Sequence, residues 1–218
     1  MRRNEKKELR NKEGDRVRNS SFTSREPLIE AALDEFITYD YDKASLNRII
    51  KSAGISKGTF YYHFKNKEEL YKHLLVTGVK QKWLYINEYT KDHQVDFEMM
   101  DIFDKFLYQA KAGTIYAHDH PKYHKLGNMF AKEKGNAIYD AIINEVGGDS
   151  TDMLREMVGK AYESGELDQS FSEEFLLKLL HNMFSNYDEV FKGESELEHT
   201  LKNLEDYVRF MKQGIKAK

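Results

Sequence analysis

Residues Ser45 to Phe64 read SLNRIIKSAGISKGTFYYHF, two short helical patterns meeting across an Ala-Gly-Ile break. Ahead of the break, Leu46, Ile49, Ile50 and Ala53 recur at i, i+3, i+4 and i+7, the apolar stripe of a helix packed on one side. Ser45 can cap its start. Gly54 supplies the permissive backbone that a sharp turn needs, and Ser56 can cap a second helix. A turn of about three residues between two such helices is a helix-turn-helix.

Ser56 as N-cap puts Ile55 and Phe60 at the two positions of a hydrophobic staple, which fixes the docking angle of the second helix. At about 100° per residue, Phe60 and Phe64 share the inward face. Gly58 and Tyr62 point away, with Lys57, Thr59 and Tyr61 beside them. Glycine weakens a helix, so its place on an exposed face one turn into a short helix asks for a reason, and close approach by another surface supplies one. Free N–H groups at the helix start, with donors from Lys57, Thr59, Tyr61, Tyr62 and His63, suit a phosphate. DNA in the major groove fits this surface. A plain helical hairpin with a solvated polar face satisfies the spacing as well.

The sequence resembles the TetR family of bacterial transcriptional repressors. Leu28-Ile-Glu-Ala-Ala-Leu-Asp-Glu-Phe36 looks like the family's first helix, and Tyr39 to Ser45 like its connector. Leu46 to Ala53 looks like the second helix, and Gly54-Ile-Ser-Lys-Gly-Thr-Phe-Tyr-Tyr-His-Phe64 like the recognition segment. Lys65-Asn-Lys-Glu-Glu-Leu70 resembles the start of helix four. The match covers about a fifth of the chain, and beyond Leu70 it implies architecture and little about ligand. The resemblance implies a homodimeric repressor released from a palindromic DNA operator by a small molecule. On this reading Gly58 and Thr59 lie near base edges and Lys57 near guanine or phosphate. Tyr61, Tyr62 and His63 lie on the phosphate backbone, with Ser45 and Lys67 bracing the flanks.

A length of 218 residues suits a small DNA-binding domain plus one larger domain, and two prolines suggest helices throughout. The expected fold is all-α: an N-terminal three-helix helix-turn-helix domain joined by a long helix to a helical ligand-binding and dimerisation domain. The expected divisions are a disordered basic arm over 1–21, the DNA-binding domain over 22–70 and the effector-binding and dimerisation domain over 71–218. The net charge is −3, but residues 1–21 carry eight Lys/Arg against four Asp/Glu. Arg2, Arg3, Arg10, Arg16 and Arg18 there could add phosphate or minor-groove contacts, or the arm could be passively solvated. No apolar run approaches the roughly 20 residues that span a bilayer, and no signal-type segment follows the basic start, so a soluble protein of the bacterial cytoplasm is expected. With no cysteine, disulfides and thiol chemistry are excluded.

Ser24 can cap helix one, whose Leu28, Ile29, Ala32, Leu33 and Phe36 can cover Ile49, Phe60 and Phe64. Asn66 with Glu69 gives the capping pattern of a fourth helix from Lys67 to about Tyr89, carrying Leu70, Leu74 and Leu75 on one side. Further helices are expected at 95–112, 121–127, 129–146, 150–164, 172–191 and 195–214. Gly113, Gly127, Gly147-Gly148, Gly165 and Gly193 mark their ends. Phe175, Leu176, Leu179, Leu180, Met183, Phe184 and Tyr187 cover more than one partner helix needs. Leu197, Leu201, Leu204, Val208, Met211 and Ile215 alternate spacings of four and three, a heptad seam. These helices could pair within the chain. The resemblance instead favours a four-helix interface between subunits, built on Phe175, Leu179, Met183, Leu197, Leu201, Leu204, Val208 and Met211.

Phe103, Phe106, Tyr116, Tyr123, Met129, Phe130 and Tyr139 could line an effector pocket, though aromatics at helical spacing are more often core. A bulky, largely apolar effector is preferred, and no cofactor is required. His118-Asp119-His120-Pro121-Lys122-Tyr123-His124 offers ligands that zinc or nickel could use, yet Pro121 explains the segment as a helix start, and no metal is assigned. An enzyme built on those histidines with Glu133 or Asp119, as a metal-assisted hydrolytic site, is the different-class alternative. It lacks a phosphate-cradling glycine loop, a dinucleotide fingerprint and an H-E-x-x-H motif, so no catalytic residue is assigned. A protein of this fold acting through protein partners is a third reading, and Lys57, Gly58, Tyr61, Tyr62 and His63 argue against it.

Overall fold

The computed structural model describes residues 25–92, 97–146, 150–186, 190 and 196–215. The basic arm, the Ser24 cap, the expected helix start at 95, Gly147-Gly148, Tyr187 and Gly193 lie outside the described residues. Within them the chain is helical and builds no sheet. The order is α1 (25–36), α2 (Leu46–Ser52), α3 (Lys57–His63), α4 (Lys67–Asp92), a 3-10 turn (Phe97–Met99), α5 (Ile102–Asp119), α6 (Pro121–Lys132), α7 (Ala137–Val146), α8 (Ser150–Glu163), α9 (Glu173–Ser185) and α10 (Leu197–Ile215).

Two compact units result. The first takes in the described residues up to Gly78 together with Lys122–Ile142. Its core is the apolar stripe of α1 (Leu28, Ala32, Leu33, Phe36) closed by Ile49 and Ile50 from α2, Phe60 and Phe64, and Leu70, Tyr71, Leu74 and Leu75 from α4. Leu126 and Ile142 complete it, so this unit is larger than the 22–70 segment read from the sequence. Tyr123 packs so closely on Gly78 that a Cβ there would lie 2.8 Å from the Tyr123 ring, a close approach that requires glycine.

The second unit comprises Val79–Pro121 and the residues after Ile142. Here α5 packs along α10, with α8 and α9 beside them. Leu204, Val208 and Met211, expected at a subunit interface, are buried inside this unit with Ile102, Phe103 and Ile215. The heptad seam therefore serves an intramolecular partner at these three positions. Lys212 ties the same pair of helices, its ammonium 2.6 Å from Asp101 and 2.9 Å from Asp104 at the start of α5.

Several boundaries move for local reasons. Asp101 caps α5 by accepting from Asp104 N–H at 2.9 Å, so that helix starts later than 95. It runs through Gly113 to Asp119 and stops at His120, whose backbone the following Pro121 bars from the helical region. Gly127 sits inside α6 with open space where a Cβ would be; the break falls instead at Gly135, whose φ is +96°. Gly165, at φ +75°, ends α8 as expected, with Glu166 N–H reaching back to Ala161 C=O at 2.9 Å.

A buried carboxylate sets the start of α2. Glu35 accepts from Ser45 N–H at 2.7 Å and from Arg48 through Nε at 2.9 Å and Nη2 at 2.5 Å. Burial alone would raise its pKa. The hydrogen bonds from Arg48 and Ser45 N–H, with the charges of Arg48 and Lys67, outweigh burial and hold it below the ordinary carboxylate value. Because the folded pKa is depressed, this stability is present above the unfolded pKa and is lost as pH falls through the folded one. Replacing Glu35 with Ala leaves Ser45 N–H and the guanidinium without their acceptor, and is expected to cost about 2 kcal/mol in urea unfolding at pH 7. The difference from wild type should shrink as the pH is lowered into the acid range; a difference that is small and constant with pH would show that solvent screens the bridge.

Candidate nucleic-acid interface

The α2–α3 pair is built as its caps prescribe. Ser45 Oγ accepts from Arg48 N–H at 3.4 Å, and Ser56 Oγ accepts from Thr59 N–H at 3.0 Å. Gly54 between them adopts φ +64°, the left-handed geometry that favours glycine. Phe60 is fully buried and Ile55 packs against the same core, so the staple holds α3 by one face. Asn66 Oδ1 then accepts from Glu69 N–H at 2.8 Å while Glu69 Oε2 accepts from Lys65 N–H at 2.6 Å, a reciprocal cap that starts α4 directly after α3.

What α3 leaves outside is a bare notch between aromatic side chains. Lys57 and Gly58 are exposed, and a Cβ built on Gly58 would meet only Ser56 Oγ, at 3.6 Å. Nothing among the described residues requires glycine there. Tyr61 is 58% exposed and Tyr62 70%, large phenols with their polar ends free to reach a partner. His63 is half-buried and edge-on to Tyr62, with ring centroids 5.1 Å apart. Burial, helped by the Arg25 charge, lowers its pKa and so favours the neutral imidazole. Thr59 is half-buried, its hydroxyl 2.9 Å from that of Ser56. Lys57, Gly58, Thr59, Tyr61, Tyr62 and His63 thus form one surface, as their spacing indicates.

The two flanking residues behave differently. Ser45 is occupied as a cap and as the donor to Glu35. Lys67 turns inward: its ammonium donates to Tyr41 C=O at 2.6 Å and Ala44 C=O at 3.0 Å and lies 4.3 Å from the centre of the Tyr41 ring. Burial lowers its pKa, against the opposing charges of Asp42 and Glu35. Lys67 therefore binds the α1–α2 connector to the start of α4 and shapes the surface from behind.

Sequence reasoning missed the supports of that connector. Beside Glu35 and Arg48, the buried carboxylate of Glu133 accepts from Tyr41 N–H at 3.0 Å and from the Asn136 amide at 2.5 Å. One signal was available: Glu35 lies seven residues after Leu28, on the apolar stripe of α1, where an acid needs a partner. Glu133, in a turn, carried no such mark.

The expected effector residues divide between the units. In the first, Tyr123, Met129, Phe130 and Tyr139 are half-buried, with the Phe130 and Tyr139 rings stacked at 4.8 Å. In the second, Phe103 and Tyr116 are buried and Phe106 stacks on Phe184 at 3.6 Å. The histidine-rich segment does not gather its ligands. His118 pairs with Asp119 at 3.1 Å, His120 packs on Tyr116 and His124 meets Asn128. Among the described residues, no three His, Asp or Glu side chains are grouped to hold a metal ion.

Residues 28–74 match the family model for bacterial regulatory proteins, tetR family. The chain is 22% identical over 176 residues to the "Probable acrEF/envCD operon repressor" of Escherichia coli strain K12, covering 78% of this chain and 76% of that protein. It is 34% identical over 61 residues to the HTH-type transcriptional regulator YhgD of Bacillus subtilis, described as uncharacterized, spanning 28% of this chain and 32% of that one. Among solved structures, the fold is shared with a TetR family transcriptional regulator from Chloroflexus aurantiacus at a TM-score of 0.69 and 19% identity, over 92% of this chain and 98% of that one. It is shared also with the ketosteroid transcriptional regulator KstR2 of Mycobacterium tuberculosis, at 0.63 and 14%, over 89% and 95%.

Replacing Gly58 with Ala separates folding from recognition. The added methyl finds room, and the helix gains up to about 1 kcal/mol, so the thermal midpoint should rise slightly. Affinity for a specific duplex should fall by about tenfold or more if a base edge approaches the bare backbone. Fluorescence anisotropy and thermal melting read both effects; unchanged affinity would mean that no partner enters the notch.

Proposed function

We propose that the protein, a DNA-binding transcriptional regulator of the TetR family, acts as a homodimeric repressor that a small-molecule effector releases from a palindromic operator. It is a transcription factor and not an enzyme. The observation that carries the reading is the exposed face of α3, where a glycine that nothing among the described residues requires lies next to Lys57 and is followed by two outward tyrosines. Gly58 and Thr59 face base edges, Lys57 a guanine or phosphate, and Tyr61, Tyr62 and His63 the phosphate backbone. Ser45 and Lys67 support them through the hydrogen bonds they make inside the unit. A DNA operator as partner supports action in the bacterial cytoplasm, and no helix among the described residues is long and apolar enough to cross a membrane.

Dimerisation falls to the part of α9 and α10 that the core of the second unit does not consume. Phe175 is 49% exposed and stacks on the exposed Phe171 at 5.5 Å, and Leu179, Met183, Leu197 and Leu201 are half-buried. Phe210 is 71% exposed but lies on the opposite side of α10 from Leu201, so it is not part of this set. The exposed aromatic pair at the start of α9 supports a covered surface in solution. Two reading heads about 34 Å apart then enter successive major grooves on one side of the duplex.

The effector is bulky and largely apolar. The half-buried Tyr123, Met129, Phe130 and Tyr139 leave more surface for it than the buried Phe103 and Tyr116; Phe106 is half-buried too but stacks on Phe184. Release follows if the effector binds better to a dimer whose heads are wrongly spaced, by as much as its affinities for the two states differ.

Selection of bound sequences from a random duplex library at two salt concentrations tests the reading. The expected result is one enriched palindrome with half-sites about 10 base pairs apart, or a multiple of that; binding that is only non-specific and salt-sensitive would refute it. In sedimentation, the wild-type chain should run as a dimer and Phe175→Glu should shift it toward monomer at micromolar concentration. A wild-type monomer would refute the dimer.

A further inference from the structure

The residues that α3 turns outward are notable for the base readers they lack. Lys57, Gly58, Thr59, Tyr61 and Tyr62 include no carboxamide to pair with adenine, no guanidinium to fork onto guanine and no carboxylate to accept from cytosine. With the tyrosines assigned to the phosphate backbone, discrimination between bases from this helix falls on Lys57 and Thr59.

Thr59 has two groups to offer, a hydroxyl and a methyl, and the structure commits one of them. Its Oγ1 lies 2.9 Å from Ser56 Oγ, the oxygen that also accepts Thr59 N–H at 3.0 Å. The hydroxyl is thus drawn back toward the cap, one turn before it, and χ1 is held by this hydroxyl contact, beside the separate backbone N–H bond that caps α3. The γ-methyl, the other substituent on the same Cβ, is the group of Thr59 that is not drawn to the cap, and Thr59 directly follows the exposed Gly58 in sequence. In the major groove the group that answers a methyl is the C5-methyl of thymine.

We propose that Thr59 is a specificity-determining residue that reads a thymine in each operator half-site through methyl-to-methyl contact, its hydroxyl serving Ser56 and not the DNA. The inference rests on the reading of α3 as the DNA-binding helix. It sets Thr59 apart from Lys57, which reads by hydrogen bond, and from the tyrosines, which meet the backbone.

The test replaces each thymine of the selected operator in turn with deoxyuridine, which removes only the C5-methyl, and measures affinity for the wild type, Thr59→Ser and Thr59→Val. Thr59→Ser keeps the bond to Ser56 and loses the methyl; Thr59→Val keeps methyls and loses the hydroxyl. At one thymine per half-site, deoxyuridine should weaken the wild type by about fourfold, the burial of one methyl. The same replacement should weaken Thr59→Val similarly and leave Thr59→Ser nearly unchanged, because the serine protein has already lost the contact. Circular dichroism and the thermal midpoint check that both variants are folded. The inference is overturned if no thymine shows a methyl effect that depends on residue 59, or if folded Thr59→Val loses specific binding while deoxyuridine is neutral, which would make the hydroxyl the reader. If no specific site is enriched at all, the DNA-binding reading fails and this inference with it, an outcome distinct from an enriched site that is indifferent to the methyl.

Discussion

A single buried carboxylate holds the reading surface in place. Glu35, at the end of α1, takes hydrogen bonds from the first N–H of the α2 cap and from the Arg48 guanidinium one turn later. A carboxylate withdrawn from water is tolerated only when its oxygens are occupied, and this one is occupied by groups that together fix where α2 begins and how it is rotated. Because α3 follows α2 across a glycine turn and is stapled to the same core, the orientation of Gly58 and Tyr62 derives from that anchor. Lys67 closes the arrangement from the other side by tying the α1–α2 connector to α4. A rigid surface of this kind loses little freedom on meeting a duplex, which is what positioned contacts to bases require.

The helix-turn-helix could be read from the sequence because every device that makes it is local. Ser45 and Ser56 as caps, Gly54 at the turn and the Ile55 and Phe60 staple lie within about five residues of what they act on, and all are in place. The supports that involve distant segments could not be read in the same way. Glu133 reaches Tyr41 across 92 positions, and no periodicity connects them. Lys67 illustrates a subtler limit: family likeness suggests that it braces the flank of the surface, and the carbonyls of Tyr41 and Ala44 through which it does so are not marked in the sequence.

The same contrast governs the later helices. Ser172 caps α9 by accepting from Phe175 N–H at 3.3 Å, as its pattern indicates, and the seam of α10 is apolar at the expected positions. A heptad spacing says that a helix has an apolar partner and leaves its identity open. Here α5 is that partner for Leu204, Val208 and Met211, which leaves Phe175 and Phe210 outside. Glycine was an unreliable marker of helix ends where the backbone stayed helical, as at Gly113 and Gly127, and a reliable one where φ became positive, as at Gly54 and Gly165.

The central claim is that the outer face of α3 is covered by DNA. The most direct measurement places a fluorinated tyrosine at position 62 and follows its fluorine resonance while a specific duplex, and then a scrambled duplex of the same length, is titrated into the protein. The account predicts a new resonance, saturating with the specific duplex at the stoichiometry of one duplex per dimer, and little change with the scrambled one at moderate salt. A resonance at position 62 that stays unmoved while the protein is fully bound to the specific duplex would contradict it, and would assign DNA binding to another surface.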